Sequence, residues 1–85
     1  MRFRWSREKD VWLQKTRGVS FDELLTGELV AFVDHPNQVK YPHQKVMYVR
    51  YRQYISVMPV LLEGSDTVFV KTAYPSRKAR KLFIP

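Results

Sequence analysis

The sequence predicts an α+β fold, in which two N-terminal helices pack on one face of a twisted, mainly antiparallel β-sheet of four to five strands. Three observations predict it. A short alternating segment, Phe3 and Trp5 between Arg2 and Arg4, precedes two well-delimited helical signals. The link Gly18-Val19-Ser20-Phe21-Asp22-Glu23 carries both a helix stop and a helix start. From Val46 to Ala73 the chain is rich in valine and tyrosine and is broken by Glu63-Gly64-Ser65-Asp66, which reads as an antiparallel meander.

Element by element, Arg2–Trp5 has the period-2 pattern of a strand with one buried face. Ser6 can cap the helix that follows, with Glu8 in its positive first turn and Lys15 and Arg17 near its negative end. Ser20 and Glu23 are spaced as a capping box, and Val19 and Leu24 as a hydrophobic staple, for a short second helix ended by Gly27. Leu29–Val33 reads as an extended, largely buried segment, and residues 35–43, with Pro36 and Pro42, as a surface loop. Three strands are expected over residues 46–52, 54–62 and 67–73, with Pro59 requiring an edge or a bulge because it cannot donate to a ladder. In the last strand, alternation places Val68, Val70 and Thr72 on one side and Phe69, Lys71 and Ala73 on the other, leaving Lys71 on an uncovered face near Arg77. Ser76–Phe83 can form one or two helical turns or a basic tail.

A chain of 85 residues fits one domain, 1–85, with a modest core. With no cysteine it has no disulfide framework and no thiolate nucleophile or ligand, and no apolar run resembles a signal or membrane segment, so a cytoplasmic setting is expected. Residues 1–34 carry six basic and six acidic side chains. Residues 35–85 carry nine basic ones against Glu63 and Asp66, so the whole excess of +7 lies there. Such one-sided charge attracts a phosphate backbone, an anionic surface or an acidic protein.

The densest constellation is Lys71-Thr72-Ala73-Tyr74-Pro75-Ser76-Arg77-Lys78-Ala79-Arg80-Lys81, which has no acidic member. Cleaving RNA without a metal requires a base for the 2′-hydroxyl, cations on the phosphoryl oxygens and an acid for the leaving oxygen. Lys71, if desolvated beside other cations, suits the base, Tyr74 can stack or pass a proton, and Arg77 offers a planar fork to a phosphate. These three are the candidate catalytic residues. Lys40, His43, Arg50, Arg52, Lys78, Arg80 and Lys81 are candidate RNA contacts, mostly through sequence-independent attraction. The plainer reading of the whole stretch is a final strand followed by a solvated basic tail. His35 and His43 read first as loop residues and lack metal-ligand companions, so no metal site and no cofactor are expected. The tyrosines at 41, 48, 51, 54 and 74 could stack on unpaired bases, but most of the four within or beside the strands read as sheet packing. The absence of a phosphate-cradling glycine loop, a Ser-His-Asp set and a carboxylate pair removes nucleotide hydrolysis, serine hydrolysis and glycosidase chemistry.

Over nearly its whole length the chain resembles the BrnT-type toxins of the RelE/ParE-like superfamily. The resemblance rests on Phe3-x-Trp5 before a charged helix, Arg17-Gly18-Val19-Ser20-Phe21-Asp22-Glu23, Asp34-His35-Pro36-Asn37 with Lys40-Tyr41-Pro42, and the closing Lys71 to Ala79. It implies the toxin of a type II toxin–antitoxin pair, an endoribonuclease that inhibits translation and is neutralised by a small acidic or DNA-binding antitoxin. Lys71, Tyr74, Arg77 and Arg80 then fall near the end of the last strand, where such toxins place cationic and phenolic groups. Here Tyr74-Pro75-Ser76 stands where the family more often has an arginine pair with a following acid. The resemblance leaves open ribosome-associated RNA as the substrate and a homodimer as the assembly. Two rivals stay beside it: a non-catalytic module binding nucleic acid or protein, and a gyrase inhibitor on a related fold.

Overall fold

The computed structural model describes residues 1–84 and shows a six-stranded mixed sheet with helices on both faces. In chain order the elements are β1 (Arg2–Trp5), α1 (Arg7–Arg17), α2 (Phe21–Leu24), β2 (Glu28–Asp34), β3 (Gln44–Tyr51), β4 (Tyr54–Glu63), β5 (Thr67–Val70), β6 (Tyr74–Pro75) and α3 (Arg77–Phe83). The strands lie in the order β1-β5-β4-β3-β2, with β6 pairing β4 beyond the end of β5. All pairings are antiparallel except one: β1 runs parallel to β5, Arg2 opposite Thr67 and Trp5 opposite Val70.

The helix ends follow from local chemistry. The Ser6 hydroxyl accepts from the Lys9 amide at 3.3 Å, and Gly18, at φ 72°, adopts the left-handed conformation that ends α1 while its amide donates to the Gln14 carbonyl at 3.0 Å. Ser20 and Glu23 form the reciprocal capping box at the start of α2. A further bond was not visible in the spacing: the Phe21 amide donates to Asp10 Oδ1 at 2.9 Å, tying α2 to the first turn of α1. Gly27 is fixed by a close approach, since a Cβ there would lie 2.4 Å from the Arg50 carbonyl oxygen.

The side covered by α1 and α2 holds the larger core, where Leu13, Phe21 and Leu24 meet Met47, Val49, Met58, Val60, Val68 and Val70. Trp5 closes its edge, its ring centroid 5.6 Å from that of Phe21. The opposite side was expected to be free, and it is not. Ala79 and Phe83, four residues apart on the C-terminal helix, and its extended cap Ile84 pack with Val46, Tyr48, Ile55 and Val57. Ser76 caps α3 by accepting from the Ala79 amide at 3.1 Å.

Two further expectations need correction, the burial of residues 29–33 and the unbroken strand over residues 67–73, whereas the bulge admitted for Pro59 is present. β2 is an edge strand, so Leu29 and Val33 are 55% and 45% exposed rather than buried, and its register against β3 shifts between Leu29 and Ala31. Pro59 lies in β4, inside the sheet, and marks a break in the neighbouring strand. Its carbonyl accepts from the Lys71 amide at 2.9 Å, but it has no N–H to return to Lys71. β5 ends at Val70, and β6 resumes with one extra residue on its side, since Val70 pairs Val60 whereas Tyr74 pairs Val57. The bulge reverses the expected alternation: Ala73, placed by sequence with Phe69 and Lys71, is buried with Val68 and Val70.

Candidate functional site

The β3–β4 hairpin turns through two residues, Arg52 and Gln53, with Tyr51 opposite Tyr54. Arg52 has φ 58°, a conformation that usually selects glycine, asparagine or aspartate in such turns. Its guanidinium lies 5.2 Å from the centroid of the Tyr51 ring, and the Tyr51 hydroxyl donates to Glu23 Oε2 at 3.2 Å. The hairpin tip is thus braced against α2, with an arginine held at its outer end.

Two neighbouring depressions open beside this tip. The first, of about 290 Å³, lies between α1, the hairpin and β6 and is mainly apolar, with Leu13, Val19, Leu24 and Ala73 below and Arg17, Arg52, Tyr51, Tyr54 and Tyr74 around it. The second is bounded by Tyr54, Pro75 and Ser76 with Arg77, Arg80, Lys81 and Ile84 of α3 and its cap. Tyr54 and Pro75 belong to both, so the phenolic rim of one runs into the cationic bed of the other. No carboxylate lines either, and among the described residues the ion pairs are Arg4 with Glu63 and Lys45 with Asp34, neither of which reaches this surface. Arg17, Arg52, Arg77, Arg80 and Lys81 therefore form a track of positive charge, none of whose members makes an ion pair among the described residues.

The three candidate catalytic residues do not share one depression. Tyr74 lines the first and Arg77 the second. Lys71 lies apart from both, exposed in a shallow surface with Ser6, Glu8, Lys9, Trp12 and Phe69 near the start of α1. The bulge opposite Pro59 separates Lys71 from Tyr74, and its exposure removes the desolvation expected of a base. Of the candidate RNA contacts, Arg52, Arg80 and Lys81 lie on the track. Lys40 and His43 are in the β2–β3 loop at the far end of β3, whose eight residues span roughly 23 Å at ~3.3 Å per residue. Arg50 pairs Ile55 and shares its face of the sheet, the one α3 covers, and Lys78 is exposed on α3 outside both depressions. His35 has a structural part in its loop: its Nδ1 accepts from the Asn37 amide at 3.0 Å and its ring sits 4.5 Å from that of Tyr41.

Sequence reasoning missed Arg17, Tyr51, Tyr54 and Ser56 as site residues. Arg17 read as a helix-end charge and the two tyrosines as sheet packing, yet Tyr54 is 62% exposed. The spacing of Tyr51 and Tyr54 across a two-residue turn was the available signal, because it puts both rings at a strand end on one face.

The fold and this surface define a small α+β domain with a mixed sheet, three helices and an open cationic, phenol-bearing track. No helix is long and apolar enough to cross a membrane among the described residues. Comparison with protein-family models, with curated proteins and with solved structures finds no match to the chain.

Proposed function

We propose that the chain binds single-stranded RNA along the track from Arg17 and Arg52 to Arg77, Arg80 and Lys81, and that it acts as the RNA-cleaving toxin of a type II toxin–antitoxin pair. The observation that carries this reading is the continuity of exposed phenols with cations that make no ion pair among the described residues. Guanidinium and ammonium groups neutralise phosphates, and aromatic rings receive unstacked bases, which is the pairing that single-strand binders use. The resemblance to BrnT-type toxins supports the toxin assignment, and the packing of α1 and α2 together on one face of a mainly antiparallel sheet agrees with it. An acidic antitoxin segment would find the same track complementary.

In the cleavage reaction the ribose 2′-oxygen attacks the adjacent phosphorus as its proton passes to a base. The bond from phosphorus to the 5′-oxygen breaks, and that oxygen takes up a proton, leaving a 2′,3′-cyclic phosphate and a free 5′-hydroxyl. In this reading Arg77, Arg80 and Lys81 offset the charge on the phosphoryl oxygens, and the proton is exchanged by a phenol, Tyr74 in the adjoining depression or Tyr54, which lines both. A second reading, binding without cleavage, is favoured by one observation: Lys71, the expected base, stands away from the track.

Purified protein incubated with total RNA and a metal chelator separates the two. Cleavage that falls by about 10²–10⁴-fold in Tyr74→Ala or Arg77→Ala, with Lys71→Ala close to the parent, supports the toxin reading. Bound but intact RNA selects the second, and RNA neither bound nor cut refutes both.

A further inference from the structure

We infer that the apolar depression between α1, the hairpin and β6 is a pocket for one unstacked nucleobase of the bound strand, an inference that rests on the RNA reading above. Four features select that occupant. The floor is made of buried Leu13, Leu24 and Ala73, which suits a flat, weakly hydrated ring. The mouth is flanked by Tyr54 and Tyr74, whose exposures of 62% and 43% leave ring surface available for stacking. The cavity, about 290 Å³, lies at the small end of ligand sites, which run ~300–1,000 Å³, so it holds a single ring system rather than a dinucleotide.

The fourth feature is Ser56. It is the buried polar residue of the core, 7% exposed, and it lines this pocket. Its hydroxyl makes no hydrogen bond among the described residues, yet no fully enclosed side-chain oxygen or nitrogen there lacks a partner, so the Ser56 oxygen remains open to the pocket. A hydroxyl so placed can donate to or accept from whatever enters the pocket, and the edge of a base supplies both kinds of partner. With Arg17 and Arg52 at the rim, the pocket matches an apolar ring carried on an anionic backbone. The strand's phosphates then continue toward Arg77 and Arg80 while one base turns inward.

The test uses the whole chain and methyl NMR, with a 2′-O-methylated mixed-sequence heptamer that cannot be cleaved through its 2′-oxygen. Its single-abasic derivatives, the four nucleoside 5′-monophosphates and ribose 5-phosphate complete the set. One abasic position should weaken heptamer binding on the order of ten- to a hundredfold while the others change it little. The monophosphates should shift the methyls of Leu13, Val19, Leu24 and Ala73, and ribose 5-phosphate should not. Ser56→Ala should alter the preference among the four bases without changing the salt dependence of heptamer binding. If every abasic heptamer binds like the parent and those methyls stay silent, the pocket inference is overturned while salt-dependent RNA binding survives. If the heptamer does not bind at all, the RNA reading fails with it, and shifts produced instead by an acidic phenylalanine-containing peptide would assign the pocket to a protein partner.

Discussion

Arg52 separates stability from function within one side chain. Its φ of 58° places a β-carbon in a region that costs about 1–2 kcal/mol for an L-residue and nothing comparable for glycine. Replacing Arg52 by glycine relieves that strain but loosens the unfolded chain, a penalty of about 0.4–1 kcal/mol. It also removes the stacking on Tyr51, where an exposed cation–π contact contributes about 0.5–1 kcal/mol. Arg52→Ala loses the same stacking and keeps the strain, so Arg52→Gly should be the more stable of the two by roughly 0.5–1 kcal/mol. For a domain of this size, with ~4–8 °C of Tm per kcal/mol, scanning calorimetry should find Arg52→Gly melting several degrees above Arg52→Ala. Both variants should bind single-stranded RNA more weakly to the same extent, with the slope of log affinity against log salt reduced by about 0.7 for one lost phosphate contact. An alanine variant as stable as the glycine variant would refute the turn geometry. An unchanged salt slope in both would remove Arg52 from the track.

Other positions give sharper single outcomes. Gly27→Ala should lower stability by about 1–3 kcal/mol in chemical denaturation, because its new methyl group meets the Arg50 carbonyl and the Val49 side chain. Asp10→Ala should cost on the order of 1 kcal/mol by freeing the Phe21 amide, whereas Asp22→Ala, exposed in the first turn of α2, should cost less than half as much. Phe83→Ala should release α3 from Tyr48 and raise amide exchange across residues 77–83 while Phe21 and its cluster stay protected. Uniform loss of protection in both cores would show that the two faces do not unfold separately.

Much of the fold was legible because local chemistry decides it. Ser6, Gly18 and the Ser20–Glu23 box bound the first two helices through contacts three or four residues apart, and the hairpin strands announce themselves by valine and tyrosine. What was not legible depends on distant partners. Nothing near Arg2–Trp5 says that it will lie parallel to β5, and Leu29 and Val33 look like core residues until β2 is seen at the sheet edge. Whether a seven-residue basic helix docks or dangles turns on Ala79 and Phe83 finding Ile55 and Tyr48. For the site, charge and phenols near the C-terminal part were readable, but the one-residue slip opposite Pro59 was not, and that slip detaches Lys71 from Tyr74. Arg17 and Ser56 join the site from elements whose own patterns read as structural.

The parallel seam between β1 and β5 has a consequence for how the molecule comes into being. Arg2 and its partner Thr67 are separated by 65 positions, so the earliest strand to be synthesised is among the last to find its neighbour. At ~5–20 residues per second of synthesis, β1 waits roughly 3–13 s with Phe3, Trp5 and both backbone edges unpaired. Until β3 and β4 have followed, the nascent polypeptide also lacks most of the sheet against which its helices close. A ribosome stalled before residue 67 therefore displays an open, sticky N-terminus, a substrate for chaperones and proteases rather than a working protein.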